Sequence, residues 1–86
     1  MQDLKEQLSK LEQRRELFPA IEVLGKLLEV EPDNDEYKLR LAKFLVDTGQ
    51  IERAERLLRT ALESGSEDLR FQLNLGHVLK ALGRSE

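Results

Sequence analysis

The sequence predicts an all-α fold of about five helices, arranged as stacked helix-turn-helix repeats. Apolar residues recur at helical spacing along almost the whole chain. Residues typical of turns interrupt that spacing at short intervals. When the sequence is shifted by 34 positions, most of it falls on similar residues, which indicates an internal repeat.

The predicted helices have similar lengths and are separated by short turns. They are expected at 2–15, 19–31, 35–47, 51–63 and 67–82. In the first helix, Leu4, Leu8 and Leu11 form one apolar stripe. The same spacing suits a short coiled-coil seam, so whether this helix joins the regular stack stays open. Pro19 fits the first turn of the second helix, where a backbone N–H has no helical partner.

The residues at the helix ends have chemistry that suits those positions. Asp33 and Glu36 have the spacing of an acidic capping box before the third helix. Ser66 is expected to cap the fifth helix. Three glycines suit the left-handed residue that commonly ends a helix. They are Gly49, Gly65 and Gly83. Gly25, inside the second helix, is expected to relieve crowding between helices.

The 34-residue match preserves side-chain size as well as polarity. The matched pairs include Ala20 with Ala54, Leu24 with Leu58, Tyr37 with Phe71, Ala42 with Gly76, and Leu45 with Leu79. Small residues are expected where two helices approach closely, and large aliphatic residues where they interlock. The chain is therefore expected to be a single domain, 1–86. It would contain one repeat at 1–34, a second at 35–68, and a half repeat or capping helix at 69–86.

One family has this period and this residue pattern. In the second unit, Leu41, Ala42 and Leu45 are followed by Ala54 and Leu58 at the spacing of the L-G-x2-Y and A-x3-F motifs. The sequence resembles tetratricopeptide repeats of bacterial type, although both aromatic motif positions are aliphatic here. The resemblance implies a short right-handed superhelix. It also implies that the first helix of each repeat lines a concave groove, which binds a peptide or a partner protein.

Superposing repeat positions on the family identifies the side chains expected in the groove. From the first unit they are Lys5, Ser9 and Glu12; from the second, Glu36, Leu39, Arg40, Lys43 and Val46; from the third, Arg70, Leu73, Asn74, His77 and Lys80. The apolar members of this set would either contact a peptide or pack between neighbouring repeats.

Some family members hold a peptide's C-terminal carboxylate with Lys, Asn and Arg side chains. The resemblance implies only a partial version of that clamp here. Lys5 and Arg70 keep basic residues, whereas Ser9, Arg40 and Asn74 differ from the family residues. Cations and amides in this arrangement would still form charge-assisted hydrogen bonds with a carboxylate.

Composition argues against most catalytic and cofactor chemistry. The chain has no cysteine, so thiolate nucleophiles and disulfides are excluded, and a cytoplasmic location fits. His77 is the single histidine, which excludes a His–His metal pair and leaves a Ser-His-Asp assembly without support. The acidic stretch 31–36 resembles the start of a calcium-binding loop. Lys38, however, occupies the position after it at which such a loop requires glycine. We therefore expect no enzyme activity, cofactor or metal.

Charge and hydropathy narrow the choice of partner. The net charge is −3, from 17 acidic and 14 basic residues scattered along the chain, which gives no reason to expect nucleic acid. No stretch approaches the ~20 apolar residues of a membrane span, so no membrane partner is expected. A protein or peptide partner is favoured.

Two alternatives to a groove-binding module remain open. Residues 75–84 resemble repeats that precede bacterial sulfotransferase or glycosyltransferase domains, so the chain would be a repeat segment of a larger enzyme. The last helix is rich in apolar residues and would otherwise support self-association into a homo-oligomer.

Overall fold

A computed structural model of the chain describes residues 3–83. These residues form five α helices and no strand, and 78% of them are helical. The helices are α1 (Leu4–Gln13), α2 (Leu17–Val30), α3 (Asp35–Asp47), α4 (Ile51–Glu63) and α5 (Leu69–Ala81). The predicted all-α class is confirmed, and the bounds of α3 and α4 are those expected from the sequence.

Each helix packs against the next one in the chain, and α3 also contacts α5. The principal extents of the Cα trace are 47 × 26 × 16 Å. The smallest extent suits a stack only two helices thick, because one helix with its side chains is about 10 Å wide. In this arrangement α2 lies between α1 and α3, and α4 lies between α3 and α5.

The core is centred on α2 and α4. Ala20 and Leu24 of α2, and the equivalent Ala54 and Leu58 of α4, are all 0% exposed. Full burial of one leucine side chain contributes about 2 kcal/mol. The alanines leave no room for solvent between helices and permit close approach of the backbones. α2 and α4, each packed against the helix before it and the helix after it, therefore carry the same small–large pattern.

The first helix is part of the stack. Leu8 of α1 is 2% exposed, and Leu4 and Leu11 pack against the same core cluster. α1 therefore uses its apolar stripe against α2 rather than presenting it as a seam for another helix. The predicted start of this helix, at residue 2, lies outside the described residues.

The starts of α2 and α5 differ from the expectation. α2 begins at Leu17, two residues before Pro19, which still lies within the first turn where its missing N–H has no helical partner. α5 begins at Leu69, because Asp68 rather than Ser66 is its N-cap and accepts a hydrogen bond from the Arg70 backbone N–H at 3.0 Å. α2 also ends one residue earlier than predicted, at Val30 instead of residue 31.

The cap of α3 also differs. The Asn34 side chain accepts the Tyr37 backbone N–H at 3.1 Å, so Asn34 is the N-cap and the predicted Asp33–Glu36 box is wrong. Asn is as good a cap as Asp, and here it stands at the residue where the backbone enters the helix. This leaves Glu36 available for contacts outside its own helix.

Four helix ends are closed by residues in the left-handed conformation. Gly49, Gly65 and Gly83 have φ values of 81°, 91° and 75°, as predicted. Arg15 has φ 56° and lies 34 positions before Gly49, so the first unit closes in the same way without glycine. The Glu16 N–H bonds the Leu11 carbonyl at 2.9 Å, which completes this closure.

The prediction for Gly25 is wrong. An added Cβ would meet no atom within 4 Å there, so the helices are not crowded at this position.

Replacing Arg15 with glycine should stabilise the fold. A non-glycine residue in the left-handed region costs about 1 kcal/mol or more, while glycine's greater freedom in the unfolded chain offsets part of the gain. We expect Arg15→Gly to raise the free energy of unfolding by roughly 0.5 to 1 kcal/mol in urea titrations. Arg14→Gly is the matched control, because Arg14 has a right-handed conformation and relieves nothing. Equal effects of the two changes would contradict left-handed strain as the cause.

The cap of α5 should make stability depend on acidic pH. Hydrogen bonds from the Arg70 side chain, and then from its backbone N–H, lower the pKa of Asp68 below its ordinary value of 3.8. A lowered folded-state pKa stabilises the fold above the unfolded-state pKa, and this contribution disappears as pH falls through the folded-state value. Unfolding midpoints measured from pH 7 to pH 2 should therefore fall less for Asp68→Asn than for the wild type. Asp33→Asn, in the exposed turn before α3, should follow the wild-type curve.

Candidate peptide-binding groove

The side chains expected in the groove lie on α1, α3 and α5. Their exposure varies. Lys5, Ser9, Glu36, Arg40, Lys43, Arg70, Leu73, His77 and Lys80 are exposed, whereas Glu12, Leu39, Val46 and Asn74 are half-buried. The three helices thus present a mostly polar face, with apolar side chains partly recessed between them. We call this the groove face.

Ion pairs join the three helices across the groove face. Glu12 Oε1 of α1 lies 3.3 Å from Arg40 Nη1 of α3. On α3, Arg40 Nε lies 3.6 Å from Glu36 Oε1, one turn away. Glu36 Oε2 then accepts from Arg70 Nη1 of α5 at 3.2 Å. Alternating charges therefore form a chain from the first repeat to the third.

Arg70 has a second carboxylate partner. Its Nη2 donates to Asp68 Oδ2 at 2.7 Å, and its Nε lies 3.1 Å from both oxygens of that carboxylate. The Asp68 and Glu36 carboxylates raise the pKa of Arg70 above its already high ordinary value. Arg70 is a permanent cation, but its charge is matched by acids of its own chain.

These contacts change how the partial carboxylate clamp is interpreted. Arg40 and Arg70, two of its cationic members, are both engaged by carboxylates of the chain itself. Asn74 Nδ2 donates to the Arg70 carbonyl at 2.7 Å, which occupies part of its amide. An incoming carboxylate would have to compete with Glu36 for the two arginines.

A small cleft lies between α3 and α5, further along the groove face. Its volume is about 100 Å³. It is lined by Ala42, Lys43, Val46, Leu58, Asn74, His77 and Val78. The fully or nearly buried members, Ala42, Leu58 and Val78, form an apolar floor. Lys43, Asn74 and His77 supply a rim with one ammonium, one amide and one imidazole.

Four of the predicted groove residues meet at this cleft: Lys43, Val46, Asn74 and His77. Lys5, Ser9, Leu73 and Lys80 do not line it. The apolar groove residues were expected either to contact a peptide or to pack between neighbouring repeats, and the structure distinguishes among them. Leu39 and Val46 pack against the core cluster, whereas Leu73 is 62% exposed.

Two features of the groove face were missed from the sequence. Leu58 and Val78 were not among the predicted groove residues, yet they form part of the cleft floor. The Glu36–Arg70 bond was not expected either, although a signal for it exists. These residues stand 34 positions apart, so opposite charges occupy equivalent positions on neighbouring helices of the stack.

Sites of other kinds are not seen in the part of the chain that the structure describes. Histidine and carboxylate side chains from residues 3–83 form no group of three that would hold a metal ion. None of the five helices has both the length and the hydropathy to cross a membrane.

Comparison with known protein families supports the repeat. A search of curated proteins and a search of solved structures give no match. A family model described as tetratricopeptide repeat matches residues 20–75, which is more than half of the chain. That range includes α3, α4 and the alanine–leucine pattern of both α2 and α4. With its 34-residue period and packed helix pairs, the chain belongs to the tetratricopeptide repeat family.

Proposed function

We propose that this chain is a protein-interaction module that binds a peptide or partner protein along the groove face, with no catalysis of its own. The observation that carries the proposal is the cleft between α3 and α5. It combines an apolar floor of Leu58 and Val78 with polar groups at its rim. Peptide sites typically combine a pocket for an anchoring side chain with a few polar groups that fix its orientation.

The chemistry of the cleft suggests what part of a peptide enters it. A volume of about 100 Å³ suits one aliphatic side chain. Lys43 is exposed at the rim and has no carboxylate within salt-bridge distance among the described residues. Its ammonium is therefore available to a carboxylate of the ligand. We infer that the preferred ligand has an aliphatic residue beside an acidic residue or a C-terminus.

Reversing the charge of Lys43 should weaken the binding of such peptides. A random dodecamer phage library would be panned against immobilised wild-type chain, and the enriched peptides would then be titrated. We expect them to share an aliphatic residue next to a carboxylate, and to bind Lys43→Glu at least about tenfold more weakly, because a charge-assisted hydrogen bond becomes a repulsion.

Lys26→Glu is the matched control for that experiment, because Lys26 is an exposed lysine of α2 that lines no part of the cleft. It should bind the enriched peptides as the wild type does. If no peptide is enriched, or if Lys43→Glu binds the peptides equally well, the groove proposal is wrong.

Removing the internal competitor should strengthen binding of acidic peptides. Glu36 bridges Arg40 and Arg70, which lie one turn before Lys43 and Asn74 respectively. Glu36→Gln would remove the carboxylate that the two arginines share. Arg40 would keep Glu12, and Arg70 would keep Asp68, as single acidic partners, so that each can also engage a ligand carboxylate. Exposed ion pairs are individually weak, so we expect an affinity gain of about two- to fivefold in fluorescence anisotropy.

Glu63→Gln provides the control for net charge, because Glu63 is an exposed acid at the end of α4. A gain of the same size in both variants would mean that the overall charge, rather than the bridge, controls affinity. Weaker binding to Glu36→Gln would contradict the competitor role.

A further inference from the structure

The turn between α1 and α2, residues 14–16, lacks the glycine that ends the other helices. Gly49 follows α3 and Gly65 follows α4 in the left-handed conformation, whereas after α1 that conformation falls on Arg15, with φ 56°. Among residues 3–83, Arg15 is the one residue other than glycine with a positive φ. An arginine is strained there, because its Cβ approaches a backbone carbonyl oxygen too closely. The conformation that separates α1 from α2 is therefore costly.

The local sequence favours a helix through this turn. Residues 13–17 read Gln-Arg-Arg-Glu-Leu, and all of these residue types have high helix propensity. Glu16 is the N-cap of α2, but its side chain makes no capping hydrogen bond. Neither a glycine after α1 nor a side-chain cap before α2 thus stabilises the break. If Arg15 and Glu16 took helical conformations, α1 and α2 would form one helix from Leu4 to Val30.

Pro19 opposes that continuous helix. As the third residue of α2, it lies where a backbone N–H needs no helical partner. In a helix that ran through the turn, its ring would clash with the carbonyl of Arg15, four residues earlier, and one helical hydrogen bond would be missing. Pro19 therefore favours the folded-back turn, whereas Arg15 disfavours it.

The contact that holds α1 in the stack can be reproduced by a second copy of the chain. Among the described helices, α1 packs against α2 alone. Leu8 is 2% exposed in this contact, and Leu4 and Leu11 pack beside it. If the turn straightened in two copies, their long helices would pair antiparallel, and α1 of each copy would meet α2 of the other. The same leucine contacts would form between the chains, and Arg15 would leave the left-handed conformation in both.

We propose that α1 is an exchangeable helix, which two copies of the chain swap to form a dimer, and that Pro19 is the residue that keeps the balance toward the monomer. Domain swapping is favoured where a short hinge is strained and the released element finds its own binding surface on a second copy. The α1–α2 turn meets both conditions. Because the exchange leaves α3, α4 and α5 in place, the swapped dimer would carry two copies of the cleft and bind a ligand with two sites more tightly.

Removing the proline tests the restraint. The full chain and its variants would be unfolded in urea, refolded at micromolar and at millimolar concentration, and compared by sedimentation velocity. The wild type should be a monomer at micromolar concentration. Pro19→Ala should dimerise with a dissociation constant at least about a hundredfold lower than that of the wild type, because the clash with the Arg15 carbonyl disappears in both chains.

Two further variants separate the hinge from other causes. Arg15→Gly, added to Pro19→Ala, should weaken the dimer at least about tenfold, since glycine relieves the strain of the closed turn and disfavours a helix through it. Pro32→Ala is the matched control, because Pro32 is an exposed proline in the turn between α2 and α3. It should be as monomeric as the wild type.

A distance within one chain distinguishes a swapped dimer from association through another surface. The chain has no cysteine, so Lys5→Cys and Lys26→Cys, both at exposed positions, can be spin-labelled specifically. In the closed monomer the labels lie on neighbouring helices whose axes are about 10 Å apart. In a continuous helix the same positions are about 32 Å apart, at about 1.5 Å per residue. Labelled Pro19→Ala, diluted into unlabelled Pro19→Ala before refolding, should show the long distance in its dimer fraction by electron–electron double resonance.

Three results would overturn the proposal. The first is a Pro19→Ala chain that stays monomeric after refolding at millimolar concentration. The second is a dimer that keeps the short distance between the two labels, which would mean that the chains associate without exchanging α1. The third is a Pro32→Ala dimer as strong as that of Pro19→Ala, which would show that the effect does not depend on the α1–α2 turn.

Discussion

The structure depends on the burial of one alanine–leucine pair in each of α2 and α4. Ala20 with Leu24, and Ala54 with Leu58, lose all contact with solvent because each of these helices lies between two others. The alanines set how closely the helix backbones approach, and the leucines fill the space that results. This packing brings α1, α3 and α5 to one side, where their remaining side chains form the groove face.

On the groove face, residues at equivalent positions of neighbouring repeats lie close together although they are far apart in the sequence. Positions 34 apart become neighbours on adjacent helices, so Glu36 meets Arg70, and Lys43 and His77 line one cleft. Opposite charges at one repeat position produce an internal bridge, whereas the Lys43–His77 position keeps a cation available. The same fold thus neutralises the charges at one end of the face and leaves the Lys43 ammonium at the other end without a carboxylate partner among the described residues.

Stacked repeats bury each helix only against its near neighbours, so the end of a stack differs from its middle. α3 is covered on both sides, and its Ala42 is buried. α5 has the equivalent residue, Gly76, in open space. Neither residue type nor helical phase differs between the two positions in a way that explains this. The difference is the neighbouring helix: α4 packs against α3, whereas no further helix among the described residues packs against α5.

The sequence by itself determined the number of helices, the helical phase of their apolar stripes, the left-handed glycines and the 34-residue period. These features depend on contacts within a few residues or on backbone preferences, which are local properties. It left the caps of α3 and α5 one or two residues out, since Asp, Asn and Ser compete for the same role and only the path of the backbone selects among them. The tertiary structure alone decided that Arg40 and Arg70 are engaged by acids, that Leu58 and Val78 floor a cleft, and that Leu73 is exposed whereas Leu39 is not. Those outcomes depend on distances between side chains of different helices, which the packing of α2 and α4 sets and no local pattern contains.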